Sequence, residues 1–166
     1  MKWFLKALRQ YADFKGRARR KEFWMYTLFV IIFAMIAIIL DFVLGLRLPI
    51  VEFGVLYTLL GLALFIPSWA VLVRRLHDIG KSGWWCLIWL IPTIMGTVQS
   101  VIFIINFENW LYSQFLMFNS WLLFGTLVYL VGLIVCCTIL IVFCCTDGQP
   151  GENKWGANPK EEIEMS

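Results

Sequence analysis

Residues 74–85 read Arg74-Arg75-Leu76-His77-Asp78-Ile79-Gly80-Lys81-Ser82-Gly83-Trp84-Trp85. This stretch carries three cations, the only histidine, an aspartate, two glycines and a tryptophan pair, with long apolar sequence on either side. A polar island of this kind belongs where two membrane segments emerge into water. The surrounding chain of 166 residues is 61% hydrophobic and 15% charged, with a mean hydropathy of +0.79. Soluble domains are about 45–50% apolar and about 25% charged, so this composition excludes a water-soluble domain.

Working outward from the island, apolar runs occupy 24–44, 53–73, 84–105 and 121–145. Each reaches the length of about 20 residues that an α-helix needs to cross a bilayer. The expected fold is therefore an all-α integral membrane protein, a four-transmembrane-helix bundle forming a single membrane domain over 1–166. A basic flank before the first run invites a signal-peptide reading. No small-x-small cleavage site follows that run, so a retained first span is expected. Pro67 should kink the second span, and Pro92 and Gly96 should bend the third. Gly54 with Gly61, and Gly125 with Gly132, are spaced to share helix faces and read as packing surfaces. Asp41 and Arg47 read as a solvated pair at the end of the first span.

Residues 1–13 divide at helical periodicity into an apolar side (Phe4, Leu5, Ala7, Leu8, Tyr11) and a basic one (Lys2, Lys6, Arg9). That division predicts an N-terminal interfacial amphipathic helix. Residues 106–120 contain no Lys or Arg and read as a polar-aromatic connection, with Trp110, Tyr112 and Trp121 at headgroup depth. Residues 146–166 form a turn-rich tail ending in an acidic tip, Glu161-Glu162-Ile163-Glu164.

Four spans put the N-terminal segment, the island and the tail on one side. That side holds 13 of the 14 Lys and Arg residues, with Arg47 alone opposite. The positive-inside rule makes it the cytoplasmic side, so both termini are expected there. Three charged, glycine-containing segments distant in sequence should consequently meet at one membrane face.

Those segments carry a recognisable pattern. It comprises Phe14-x-Gly16-Arg17-x-x-Arg20-x-Glu22-Phe23-Trp24, then Arg74-Arg75-Leu76-His77-Asp78-x-Gly80-x-Ser82-Gly83-Trp84-Trp85, then Gly151-x-Asn153-x-x-Gly156-x-x-Pro159. The combination resembles the DUF805 family of small bacterial inner-membrane proteins. Arg19 departs from that resemblance, standing where the family often has a small polar residue, and the 106–120 connection is longer than usual. The resemblance implies a multi-pass bacterial inner (plasma) membrane protein and transfers no catalytic residue.

Chemistry is sparsely signalled. His77 beside Asp78 is the obvious acid–base pair, but neighbours on a helix do not face each other. No nucleophile paired with a base can be named. The five cysteines have no zinc spacing and read as small apolar packing residues. No catalytic residue, metal site or cofactor is expected. The dense cationic face, with Lys21 within it, makes Arg17, Arg19, Arg20, Arg74, Arg75, His77 and Lys81 the candidates for binding an anion, a lipid or a partner. Gly16, Glu22, Trp24, Asp78, Gly80, Ser82, Gly83, Trp84, Trp85, Gly151, Asn153, Gly156 and Pro159 form the candidate structural motif. The leading expectation is a non-enzymatic binding or scaffolding module for anionic membrane lipids, a protein partner or a second copy. Nucleic acid is disfavoured, because lipid phosphate competes at headgroup depth. The alternatives are a small transporter or channel subunit, and a membrane enzyme acting on a lipid-linked phosphate.

Overall fold

The computed structural model describes residues 2–46, 54–110 and 115–160, with side chains described outside 103–122. The described residues are helical apart from turns, irregular segments and isolated bridge positions such as the pair Asn153 and Gly156. The helices are α1 (Lys2–Arg9), α2 (Arg20–Leu44), α3 (Val55–Asp78), α4 (Leu90–Trp110) and α5 (Phe115–Cys145), with a 3-10 segment at Gly83–Trp89 leading into α4. Among the described residues, four stretches are long and apolar enough to cross a membrane: Arg20–Leu44, Val55–Asp78, Gly83–Ile102 and Leu123–Cys145. Their large apolar side chains lie open, Phe42 at 75% and Leu123 at 69% exposure, as suits helices that face lipid.

The chain forms two compact units, Met1–Gly83 with Cys144–Ser166, and Trp84–Phe143. In the first, α2 and α3 make a hairpin. Its turn begins with Gly45 in the left-handed region at φ 66°, where a side chain would be strained. Gly45 and Leu46 donate to the Phe42 and Asp41 carbonyls at 3.4 and 3.0 Å, closing the end of α2. Asp41 then caps the next helix across the turn. Its carboxylate accepts from the Leu56 and Tyr57 amides at 2.9 and 2.8 Å, the two positions a helix N-cap serves. Gly54, at the N-cap itself, has no side chain to do this, and a Cβ there would collide with Asp41. Asp41 is therefore a buried cap at 4% exposure, not the solvated partner of Arg47 that its position suggested; Arg47 lies outside the described residues.

Pro67 lies within α3 and cannot donate to the Ala63 carbonyl. The Tyr11 hydroxyl fills that vacancy at 2.6 Å. One residue on, the Leu64 carbonyl accepts from Ser68 Oγ at 2.6 Å, and Ser68 in turn meets Tyr26 Oη at 3.0 Å. A proline in apolar surroundings is tolerated when neighbours satisfy the freed backbone in this way.

Helix α1 forms, but its apolar side packs on protein. Phe4 and Ala7 are buried, and the Phe4 ring lies 5.4–5.7 Å from those of Tyr26, Phe29 and Phe33 on α2. Leu5, assigned to the same side, stays half exposed.

In the second unit, glycines bring α4 and α5 together. A Cβ on Gly125 would lie 2.7 Å from Gln99 Oε1, and one on Gly96 would lie 3.0 Å from the Tyr129 ring. Gly96 is thus a packing position, whereas Gly61 and Gly132 have nothing within 4 Å of a Cβ. Helices α4 and α5 also continue into the expected 106–120 connection, to Trp110 and from Phe115. No Gly or Pro occurs between Gly96 and Gly125 to stop them. Tyr112 and the acidic tip, Glu161 to Glu164, lie outside the described residues, as do the side chains of Trp110 and Trp121.

Candidate functional site

The island is not a loop throughout. Arg74 to Asp78 form the last turn of α3, and the chain then reverses at Gly80, φ 77°. A helix end leaves carbonyls without intrahelical donors. Here the other two motif segments supply donors: Ala18 N to Arg74 O at 3.0 Å, Asn153 Nδ2 to His77 O at 3.0 Å, and Gln149 N to Asp78 O at 2.8 Å. The three segments therefore meet, with backbone as the common substrate.

Three arginines then lock the junction. Every nitrogen of the Arg17 guanidinium has an acceptor: Nε takes Asp78 Oδ1 at 3.0 Å, Nη1 takes the carbonyls of Gly151 (2.6 Å) and Gly156 (3.4 Å), and Nη2 takes those of Gln149 and Asp78. Arg75 is equally committed, with Nε on Cys144 O at 3.2 Å, Nη1 on Ala18 O and on Asp78, and Nη2 on Thr146 O. Arg20 adds Nη1 on Cys145 O at 3.0 Å. The last turn of α5 has no basic residue, so cations from α2 and α3 satisfy its terminal carbonyls.

Arg74 uses Nη1 on the Gln10 and Asp13 carbonyls, fixing the segment after α1. Its Nη2 lies 3.6 Å from Glu22 Oε1, an ion pair beyond hydrogen-bond length, and Lys6 Nζ holds Glu22 Oε2 at 2.9 Å. Glu22 is fully buried at 0% exposure. Glu22 Oε1, Arg74 Nε and Arg74 Nη2 are enclosed without a hydrogen-bond partner among the described residues.

His77 and Asp78 do not form an acid–base pair with each other. Asp78 sits between Arg17 and Arg75, while His77 Nδ1 donates to the Gly16 carbonyl at 3.2 Å. The His77 ring stacks on Trp155 at 4.6 Å and 12°. Lys154 Nζ also lies over the indole, 4.1 Å from the ring centroid. Glycines allow the tail this close: a Cβ on Gly80 would meet Gln149, and one on Gly148 would meet Asp78.

Arg17, Arg74 and Arg75, grouped in the sequence with the anion candidates, are thus turned inward, at 7%, 1% and 0% exposure. Arg19 and Arg20 are placed differently. Together with Lys21, Asp78, Gly148, Asn158, Pro159 and Lys160 they line a hollow of about 290 Å³. Asp147 bridges Arg20 and Lys160 at its edge. Arg19 is the N-cap of α2, with no side-chain cap on the first turn. Lys81 is half-buried beyond the turn, its amide on Leu76 O at 2.9 Å. Ser82 and Gly83 follow half-buried, Trp84 is 77% exposed, and Trp24 is exposed at the start of α2. Lys160, Gly148 and Asn158 were not singled out by the sequence, since no motif spacing separates them from an ordinary tail. Among the described residues no group of His, Cys, Asp or Glu could hold a metal ion.

Residues 11–157 match the family described as Protein of unknown function (DUF805). Inner membrane protein YhaH of Escherichia coli K12 is 39% identical over 162 residues, covering 98% of this chain and 99% of the relative. Inner membrane protein YhaI of the same strain is 34% identical over 160 residues, covering 96% and 97%. No solved structure matches. The match spans all three segments that build the junction: this chain belongs to the DUF805 family and is a multi-pass inner-membrane protein.

Proposed function

We propose that the chain is a non-catalytic binding module whose cytoplasmic face holds anionic lipid headgroups in the hollow at the start of α2. The observation that carries this reading is the division of labour among the cations. Every guanidinium nitrogen of Arg17 and Arg75 has an acceptor inside the protein, whereas the Arg19 and Lys21 side chains have no hydrogen-bond or ion-pair partner among the described residues and line the hollow. The hollow lies just outside the apolar run that opens at Trp24; cations beside a membrane surface attract anionic lipid by about 1 kcal/mol each. The cytoplasmic assignment follows from the charge asymmetry of the flanking segments. The separation of His77 from Asp78 supports a binding role over acid–base chemistry. Lipid retention through native mass spectrometry tests it. Anionic lipid should survive preferentially over phosphatidylcholine on the intact protein and fall to parity in Arg19→Gln/Lys21→Gln. Equal retention of both lipids by the intact protein would contradict the reading, and a co-purifying protein lost in the same variant would replace lipid with a protein partner.

A further inference from the structure

We infer that the hollow is selective for a phosphate monoester dianion, as opposed to a singly charged phosphodiester; this rests on the reading that the hollow binds anionic headgroups. The first ground is charge. Arg19, Arg20, Lys21 and Lys160 line the hollow, and one carboxylate, Asp147, bridges Arg20 and Lys160 at the edge. The other carboxylate in the wall, Asp78, is matched by Arg17 and Arg75 behind it and adds no net repulsion. A surplus of more than two positive charges therefore faces the cavity, and a single negative charge leaves most of it unmatched.

The second ground is the supply of hydrogen bonds. A monoester presents three terminal oxygens that accept strongly, where a diester presents two. The first intrahelical bond of α2 runs from Phe23 N to Arg19 O. The amides of Arg20, Lys21 and Glu22 consequently have no acceptor among the described residues, and they sit at the positive end of a helix of 25 residues. Glu22 cannot fold back as a cap, because its carboxylate is held by Lys6 and faces Arg74. With a guanidinium from Arg19 and the Lys21 ammonium alongside, the donors outnumber what two oxygens can accept.

The third ground is size. About 290 Å³ lies at the lower edge of the volumes of small-molecule sites, enough to seat a headgroup phosphate.

A monoester can arrive on a lipid, as phosphatidic acid, or free in solution. Both share the chemistry, and the experiment separates them. The full-length protein in neutral detergent is challenged with phosphatidic acid and with phosphatidylglycerol of identical acyl chains, and lipid retention is read by native mass spectrometry. Phosphatidic acid should be retained about tenfold over phosphatidylglycerol at pH 8. The preference should collapse at pH 5, below the second phosphate ionisation at about pH 6. Phosphatidylglycerol measured at both values controls for titration of the protein's own groups. Arg19→Gln/Lys21→Gln should abolish the preference without lowering the melting temperature, because neither side chain has a hydrogen bond or ion pair among the described residues to lose. Lys2→Gln/Arg9→Gln on α1 removes the same charge elsewhere and should leave the preference intact. Inorganic phosphate that displaces phosphatidic acid would identify a site for the free monoester as well; preference without displacement would identify the lipid as its source. Equal retention of the two anionic lipids, both lost in Arg19→Gln/Lys21→Gln, overturns the monoester inference and leaves headgroup binding standing. Retention of neither above phosphatidylcholine overturns both.

Discussion

The junction where α3 ends and the pair formed by α4 and α5 show different contacts. At the junction, Arg17, Glu22, Arg74, Arg75, His77 and Asp78 are all buried, and their polar atoms reach across to other segments. In the hairpin, the described hydroxyls of Thr93, Thr97, Ser100 and Thr138 turn back to carbonyls three or four residues earlier in their own helices. Close approaches join α4 to α5 there, Gly96 to Tyr129 and Gly125 to Gln99. Lipid tails are as apolar as leucine, so burying leucine gives membrane helices little reason to associate. The chain answers with packing at small residues in one region and with charge-assisted bonds to backbone carbonyls in the other. The second solution is the more fragile to a single change, because each buried charge left alone is costly.

Four substitutions would sharpen or break that contrast. Asp78→Ala strands Arg17 and Arg75 together and should cost about 3–5 kcal/mol, visible as a large drop in thermal unfolding temperature or in yield. Gly125→Leu forces α4 from α5 and should cost about 1–3 kcal/mol; a loss as large as that of Asp78→Ala would erase the distinction between the regions. Asp41→Ala removes the cap on α3 and should cost about 1–2 kcal/mol, with Asp41→Asn recovering part of it. Trp155→Ala removes the ring stacked on His77 and should cost about 1 kcal/mol, while limited proteolysis reports earlier cleavage of the tail.

The spans and the meeting of three segments were legible in the sequence, because apolar run length and the Lys and Arg distribution are local quantities. What each arginine does was not. Arg17 and Arg19 stand two residues apart in one basic run, yet one is turned inward and the other lines the hollow, a distinction made by Gln149, Gly151 and Gly156 more than 130 residues away. Asp41 was misread for a related reason: its partners are amides across a turn, and amides leave no signature in side-chain spacing. Tyr11 as the donor for the carbonyl freed by Pro67 is the same kind of contact. The amphipathic pattern of α1 announced a helix but could not distinguish a lipid surface from the aromatic face of α2, since both are apolar.

The proposed division of the cations into structural and binding sets meets its most direct test in one paired measurement: melting temperature and lipid retention of Arg75→Gln and of Arg19→Gln/Lys21→Gln in the same detergent. Arg75→Gln should melt roughly 6–12 °C lower, as a loss of about 3 kcal/mol implies for a chain of this size. Arg19→Gln/Lys21→Gln should melt with the unaltered protein while losing its anionic lipid. A melting loss in the second variant equal to that in the first, or undiminished lipid retention with both cations removed, would contradict the division.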